Sequence, residues 1–326
     1  MALEHINFRP SMTKFLVNQQ QAFAERPLLI LDVGARGGFE DHWQIYGEQA
    51  IQIGFEPDVE ECNRLNQQSR HKNCNFYPVA LGNQQEERTF TVCHWRGSSS
   101  FYPANFSFIG RFPYKENLAA MEVIKQIKIE TVDLDFFVQS NSINYVDFIK
   151  LDVEGSELDV LKGALNILQT SVLGLSLEVL FHSCIRNQPT FSHIDLFLDS
   201  LGFRLFDLAI YRQARKALPL PTIPPLGVTQ QGQVLWGQAL YLRDGFSELE
   251  SNQELYHWDQ VNVLKLASLM ELFCLPDCAV ELIQKAQQKH ILTETIEPLL
   301  NSLTPPMKKG NTFESISYEQ YLQLFQ

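Results

Sequence analysis

L-L-I-L-D-V-G-A-R-G-G, residues 28 to 38, is the stretch that decides the fold. Leu28 to Val33 is short and apolar on both faces, the pattern of a strand buried inside a parallel sheet. Asp32 sits at the carboxyl end of that strand, where ligands of open α/β sheets bind. Gly34, Gly37 and Gly38 then permit positive φ or a close approach of backbone to a ligand. A second apolar run, I-Q-I-G-F-E-P-D at 51 to 58, ends a second strand in Glu56. A carboxylate there can accept two hydrogen bonds from the vicinal hydroxyls of a ribose.

The glycine spacing argues against a dinucleotide. A pyrophosphate needs G-x-G-x-x-G at a helix N-terminus, and the glycines here fall at 34, 37 and 38. Asp32 would also repel a diphosphate. It suits a ligand with a cationic amino group, as Glu56 suits its ribose, and S-adenosylmethionine carries both. The plainer reading has Asp32 capping the next helix and Glu56 facing solvent.

Working outward, residues 11 to 25 read as an amphipathic helix with Ser11 as N-cap and Pro27 as stop. Strands follow at 28–33, 51–56 and 75–79, with a helix near 58–69; Pro78 marks an edge strand or a strand end. A strand pair at 88–93 and 124–130 brackets an aromatic and serine-rich loop at 97–114. A clean strand at 145–151 leads into a helix reaching about Leu168. A further strand, 172–178, ends in Glu178, and a helix spans about 190–201. Two last strands, 203–209 and 234–242, flank a proline-rich loop at 219–226 and have no helix between them, which argues an edge hairpin. The expectation is an α/β fold with a doubly wound, mostly parallel seven-stranded sheet. The domain reading is a helical segment at 1–27, the α/β domain at 28–244, and a small helical C-terminal extension at 245–326. Two amphipathic segments in that extension, 258–273 and 278–290, suit packing or a homodimer contact.

The balance of 26 basic and 38 acidic side chains gives a net charge of −12, which disfavours nucleic acid as a partner. Six cysteines are scattered without a C-x-x-C pair, so neither a disulfide framework nor a zinc site is indicated. The first thirty residues lack a signal-peptide pattern and no run suits membrane insertion, so a cytoplasmic location is expected.

The chain resembles the FkbM-type family of class I S-adenosylmethionine-dependent methyltransferases. The resemblance rests on D-V-G-A-R-G-G at 32–38, G-F-E-P-D at 54–58, A-L-G at 80–82 and S-S-S-F-Y-P-A-N at 98–105. Above all it rests on D-F-I-K-L-D-V-E-G-S-E-L-D-V-L-K-G-A at 147–164, with G-Q-A-L-Y-L-R-D at 237–244 as the last strand. It implies a Rossmann-like methyltransferase fold and S-adenosylmethionine as cofactor. Asp32, Gly34 and Ala35 are implied to hold the methionine end and Glu56 the ribose. Pro57 and Asp58 are implied to lie near the adenine, and Ala80 and Leu81 to border it. Where many members have Asn, this chain has Arg36, which gains no partner from the sequence.

The resemblance also implies transfer to an oxygen of a small-molecule, sugar or glycan acceptor. That acceptor is expected beyond the strand ending at Leu151, with Asp152 facing donor and acceptor and Glu154 close by. A base within hydrogen-bond reach helps an alcohol react, and His182 suits that task by its ordinary pKa; the plainer readings are a surface-loop histidine and a Glu154 that merely opens a helix. Asp152, Glu154 and Glu178 also have the chemistry for a divalent ion, but spacing alone does not converge them, and no metal ligands are assigned. The alternatives are a nicotinamide-dependent oxidoreductase and a non-catalytic donor-binding subunit acting through its tail.

Overall fold

Every residue of Leu28–Val33 is buried, and the sheet grows on both sides of this strand. The structure is a computed structural model that describes residues 5–69, 71–112, 119–218, 232–251, 256–309 and 312–325. In chain order the strands are β1 (Leu28–Val33), β2 (Ala50–Phe55), β3 (Cys74–Tyr77), β4 (Ala80–Leu81) and β5 (Glu86–Cys93). They continue with β6 (Val123–Val132), β7 (Phe148–Leu151), β8 (Gly174–Leu180), β9 (Phe203–Gln213) and β10 (Gln233–Arg243). The main sheet has seven strands in the order β3-β2-β1-β7-β8-β10-β9. Its pairings are parallel except those of β10, which runs against both β8 and β9. The fold is thus the doubly wound, mainly parallel α/β sheet expected.

The departures have local causes. The hairpin of β9 and β10 is present, but β10 inserts beside β8 and leaves β9 at the edge. β3 stops at Tyr77 because Pro78 has no amide to donate to the ladder, and it is the other edge strand. The 88–93 and 124–130 runs pair as β5 and β6 and, with β4, make a separate three-stranded sheet. The end of the aromatic loop and the proline-rich loop at 219–226 lie outside the described residues. The helix expected to reach Leu168 is two, Glu157–Lys162 and Leu165–Thr170, broken at Gly163. A side chain at Gly163 would meet the Gly82 carbonyl oxygen at 2.2 Å.

The two sheet faces have separate cores. Leu29, Leu31, Val33, Ile149, Leu151 and Leu177 pack on one side, with helix residues such as Leu158, Leu161 and Ile194. Leu28, Ile30, Phe148 and Leu240 pack on the other, against Trp43 and Tyr46 and the helix Gln260–Leu272. His42 and Trp43 are therefore core residues beneath the sheet. Residues Val263 to Leu272 are all buried, so this helix is enclosed on every side rather than amphipathic. The second tail helix, Pro276–Gln288, starts two residues before the 278–290 segment expected, with proline in its first turn.

The tail also reaches the first helix, which spans only Ser11–Asn18. Its cap position is Pro10 rather than Ser11, and the capping oxygens come from elsewhere. The amides of Met12 and Thr13 donate to the buried Glu271 carboxylate at 2.9 and 2.7 Å. Among the described residues no helix is long and apolar enough to cross a membrane.

Candidate active site

Strand register builds the site. Val33 pairs with Phe55 on β2 and with Leu151 on β7, so the three strands end level. Beyond those ends lies a cleft of about 440 Å³, roofed by β5 and the loop that follows it. Gly34 (φ +83°) carries the chain across the end of β7 with no room to spare. A Cβ there would lie 1.9 Å from the Asp152 carbonyl oxygen. The amides of Gly34 and Ala35 both donate to the Phe55 carbonyl at 3.0 Å. Gly34 lines the cleft; Ala35 is buried behind it.

Asp32 is 1% exposed and does not line the cleft. It faces Lys150, its register partner on β7, at 3.1 Å. Lys150 was not singled out in the sequence, and it holds the cationic place expected of a ligand's amino group. Burial raises the Asp32 pKa above the usual carboxylate range, against the pull of Lys150.

Glu56 and Pro57 do line the cleft. The Asp58 amide donates to Glu56 Oε1 at 2.9 Å, and Arg36 Nε lies 3.5 Å from Oε2. Arg36 also donates to the Asp58 carboxylate at 2.8 Å. Arg36 thus ties the glycine turn to the end of β2. Asp58 caps the helix Val59–Gln68, accepting from the amides of Glu60 and Glu61. Ala80 and Leu81 line the cleft with Val79, Phe90 and Phe101, which make an apolar wall next to Glu56.

The opposite end of the cleft is acidic. Asp152, Glu154 and Glu178 all line it. Glu154 sits at φ +53°, and the Ser100 hydroxyl donates to its carbonyl at 2.6 Å, pinning the serine-rich loop to this turn. Glu157, not Glu154, serves the turn before the helix, accepting from the amides of Val153 and Gly155. The side chains of Glu154 and Glu178 make no hydrogen bond or ion pair with any described residue. Burial first, and the charge of Asp152 next, push the Glu154 carboxyl up to about 8. Burial and then Glu154 itself hold Glu178 well above its ordinary range. Among the described residues no three His, Cys, Asp or Glu side chains gather as metal ligands. His182 lies outside the cleft lining, stacked on Phe108 with ring centroids 5.7 Å apart and hydrogen-bonded to Gln233.

A pH dependence of stability follows. A carboxyl raised from 4.5 to about 8 in the folded state binds a proton more tightly than in the unfolded chain. Its contribution is complete below the unfolded value and is lost as pH rises through the folded one, at about 1.4 kcal/mol per pH unit between them. Thermal unfolding between about pH 5 and 8 is expected to show a falling midpoint, and Glu154→Gln to flatten the fall. A midpoint that rises across this window would contradict the assignment.

The strand order with its one reversed strand, and a cleft across the carboxyl ends of β1, β2 and β7, define a protein of the Rossmann-like methyltransferase class. The family model for the methyltransferase FkbM domain matches residues 32–205, and the chain belongs to that family. A curated relative is the hexuronic acid methyltransferase AglP of Haloferax volcanii, 29% identical over 147 residues. That match covers 45% of this chain and 54% of the relative, so the chain spans about half the length of the curated relative it matches. Among solved structures, the magnesium protoporphyrin IX methyltransferase of Synechocystis PCC 6803 with bound SAM is 11% identical with a TM-score of 0.32, over 72% of this chain and 80% of that one. Human methyltransferase-like protein 13 in complex with SAH is 12% identical with a TM-score of 0.33, over 86% and 91%. At those scores the likeness adds no argument to the strand order observed directly.

Proposed function

We propose that the protein transfers the methyl group of S-adenosylmethionine to a hydroxyl oxygen of a sugar-type acceptor. The carrying observation is that one cleft joins a carboxylate at the end of β2 to two carboxyls near β7 and β8 that have no partner among the described residues. The cleft residues fit the donor. Glu56 offers acceptor oxygens to ribose hydroxyls, and the wall of Val79, Leu81 and Phe90 offers apolar cover to a flat base. Bound there, S-adenosylmethionine supplies an electrophilic methyl group on a sulfonium.

The chain's own residues then orient the acceptor and take its proton. Glu154 and Glu178 line the cleft and have no protein partner among the described residues, so they replace His182 as the groups that receive the hydroxyl proton. The exposed indole of Trp95, on the loop above, gives a sugar ring apolar surface to stack on. The similarity to a hexuronic acid methyltransferase supports a sugar-type acceptor.

Calorimetric titration with S-adenosylmethionine tests the donor. Glu56→Ala is expected to weaken binding at least about tenfold by removing hydrogen bonds to a charged acceptor. Unchanged affinity refutes the ribose assignment, and tight binding of a reduced nicotinamide dinucleotide instead refutes the donor. Methyl transfer to a panel of uronosides, neutral glycosides and amines tests the acceptor; transfer to the amines alone would overturn the oxygen assignment.

A further inference from the structure

The two carboxyls at the acidic end are partly buried, line the cleft, and have no hydrogen-bond or ion-pair partner among the described residues. We propose that Glu154 and Glu178 distinguish the cationic methyl donor from its neutral product: the pair gives up a proton as the sulfonium enters, and regains one from the acceptor hydroxyl as that charge disappears. This inference rests on the donor reading above.

Among the described residues no cation is ion-paired or hydrogen-bonded to either carboxyl. On the same turn lie Asp152 and Glu157, both acids. Lys150 is engaged by Asp32 on the strand beside it, with Glu40 and Asp152 also close. Cys93 on β5 and Cys184 after β8 are raised first by burial and then by Glu154 and Glu178 respectively, and carry no positive charge. Arg96 lines the cleft from the loop after β5 and is exposed. Arg36, at the far end, is taken up by Glu56 and Asp58.

An opposite charge within about 4–6 Å favours the ionised form of a carboxyl, so a sulfonium entering this end draws a proton off the pair. The balance then closes within the site. The acceptor O–H bond breaks and its proton passes to the ionised carboxylate. The oxygen forms its bond to the methyl carbon as the carbon–sulfur bond breaks, and the electron pair of that bond stays on sulfur. Sulfur is then neutral, the pair is protonated again, and nothing holds its charge open. The product is thereby bound less strongly than the donor by the same two residues that accepted the proton.

The test is calorimetry on the full chain at about pH 7, in buffers of different ionisation enthalpy, with S-adenosylmethionine and with S-adenosylhomocysteine. Donor binding is expected to release close to one proton, and its affinity to rise by up to about tenfold per pH unit between about pH 6 and 8. Product binding is expected to release none and to show a flat profile. The double variant Glu154→Gln, Glu178→Gln should bind the product as the parent does, lose the proton release and lose the preference for the donor. Donor and product titrations with the same buffer-independent heat and parallel pH profiles in the parent protein overturn the inference while leaving the donor reading intact. Failure of both ligands to bind removes the donor reading, and the inference with it.

Discussion

Replacing Gly34 with alanine is expected to destroy donor binding and to lower stability by more than about 3 kcal/mol. Two costs add. The residue lies at φ +83°, where a side chain is strained whatever the space. The added Cβ would also sit 1.9 Å from the Asp152 carbonyl oxygen and 2.9 Å from its carbon, both backbone atoms that cannot swing aside. Relief requires β1 and β7 to part at their carboxyl ends, which moves Asp152 and opens the floor of the cleft. Gly37 provides the comparison. It has a similar φ of +92°, but an added Cβ meets nothing within 4 Å, so Gly37→Ala should cost only about 1 kcal/mol of conformational strain. Urea unfolding of the two variants separates the effects. Equal losses would show that backbone conformation alone, and not contact with β7, fixes glycine at position 34.

The same turn shows which parts of the site the sequence displays. A buried strand, a glycine turn and a carboxylate ending the next strand are local patterns, and the 28–38 and 51–58 stretches carry them whole. The antiparallel pairing of the last two strands is legible from the lack of a helical pattern between them, whereas the insertion of β10 beside β8 is not. Pairings across the sheet are a different matter. Asp32 and Lys150 are 118 residues apart and meet only through register, so Asp32 reads as free for a ligand when it is already paired. Arg36 likewise finds Asp58 through the packing of two successive strand ends, although its signal, a cation in the turn and an acid after β2, was present. Choosing a base by ordinary pKa favours His182, because burial is invisible in sequence, whereas burial makes Glu154 and Glu178 unusual. The acidic residues of the 152–157 turn divide by geometry as well: Glu157 satisfies amides, and that leaves Glu154 for the cleft.

Lys265→Met is expected to cost about 3–5 kcal/mol, the range for breaking a buried ion pair from one side. Lys265 reads as an interruption in the apolar run of its helix, yet it is fully buried. Its ammonium donates to Asp147 Oδ2 at 2.6 Å and to the Pro27 carbonyl at 2.9 Å. Asp147 also accepts from the Leu29 amide at 2.8 Å, so this one contact ties the tail helix to the starts of β1 and β7. Methionine matches the aliphatic stem but, among the described residues, leaves the buried Asp147 carboxylate with the Leu29 amide and the partly buried Pro27 carbonyl with the Tyr145 hydroxyl as hydrogen-bond partners. Burial already raises the Asp147 pKa, and Lys265 is the main force opposing it. Removing the lysine raises it further. A carboxyl raised above its unfolded value favours the folded state below that unfolded value and loses the advantage as pH climbs through the folded one. The deficit of the single variant should therefore grow from acid towards neutral pH, and Asp147→Asn in the same chain should recover much of it and flatten the dependence. Because β1 leads directly into the Gly34 turn, the single variant should also weaken donor binding, although no described tail residue lines the cleft. A Lys265→Met protein with the parent's urea midpoint at neutral pH would mean that the tail helix is held to the sheet by apolar contact alone.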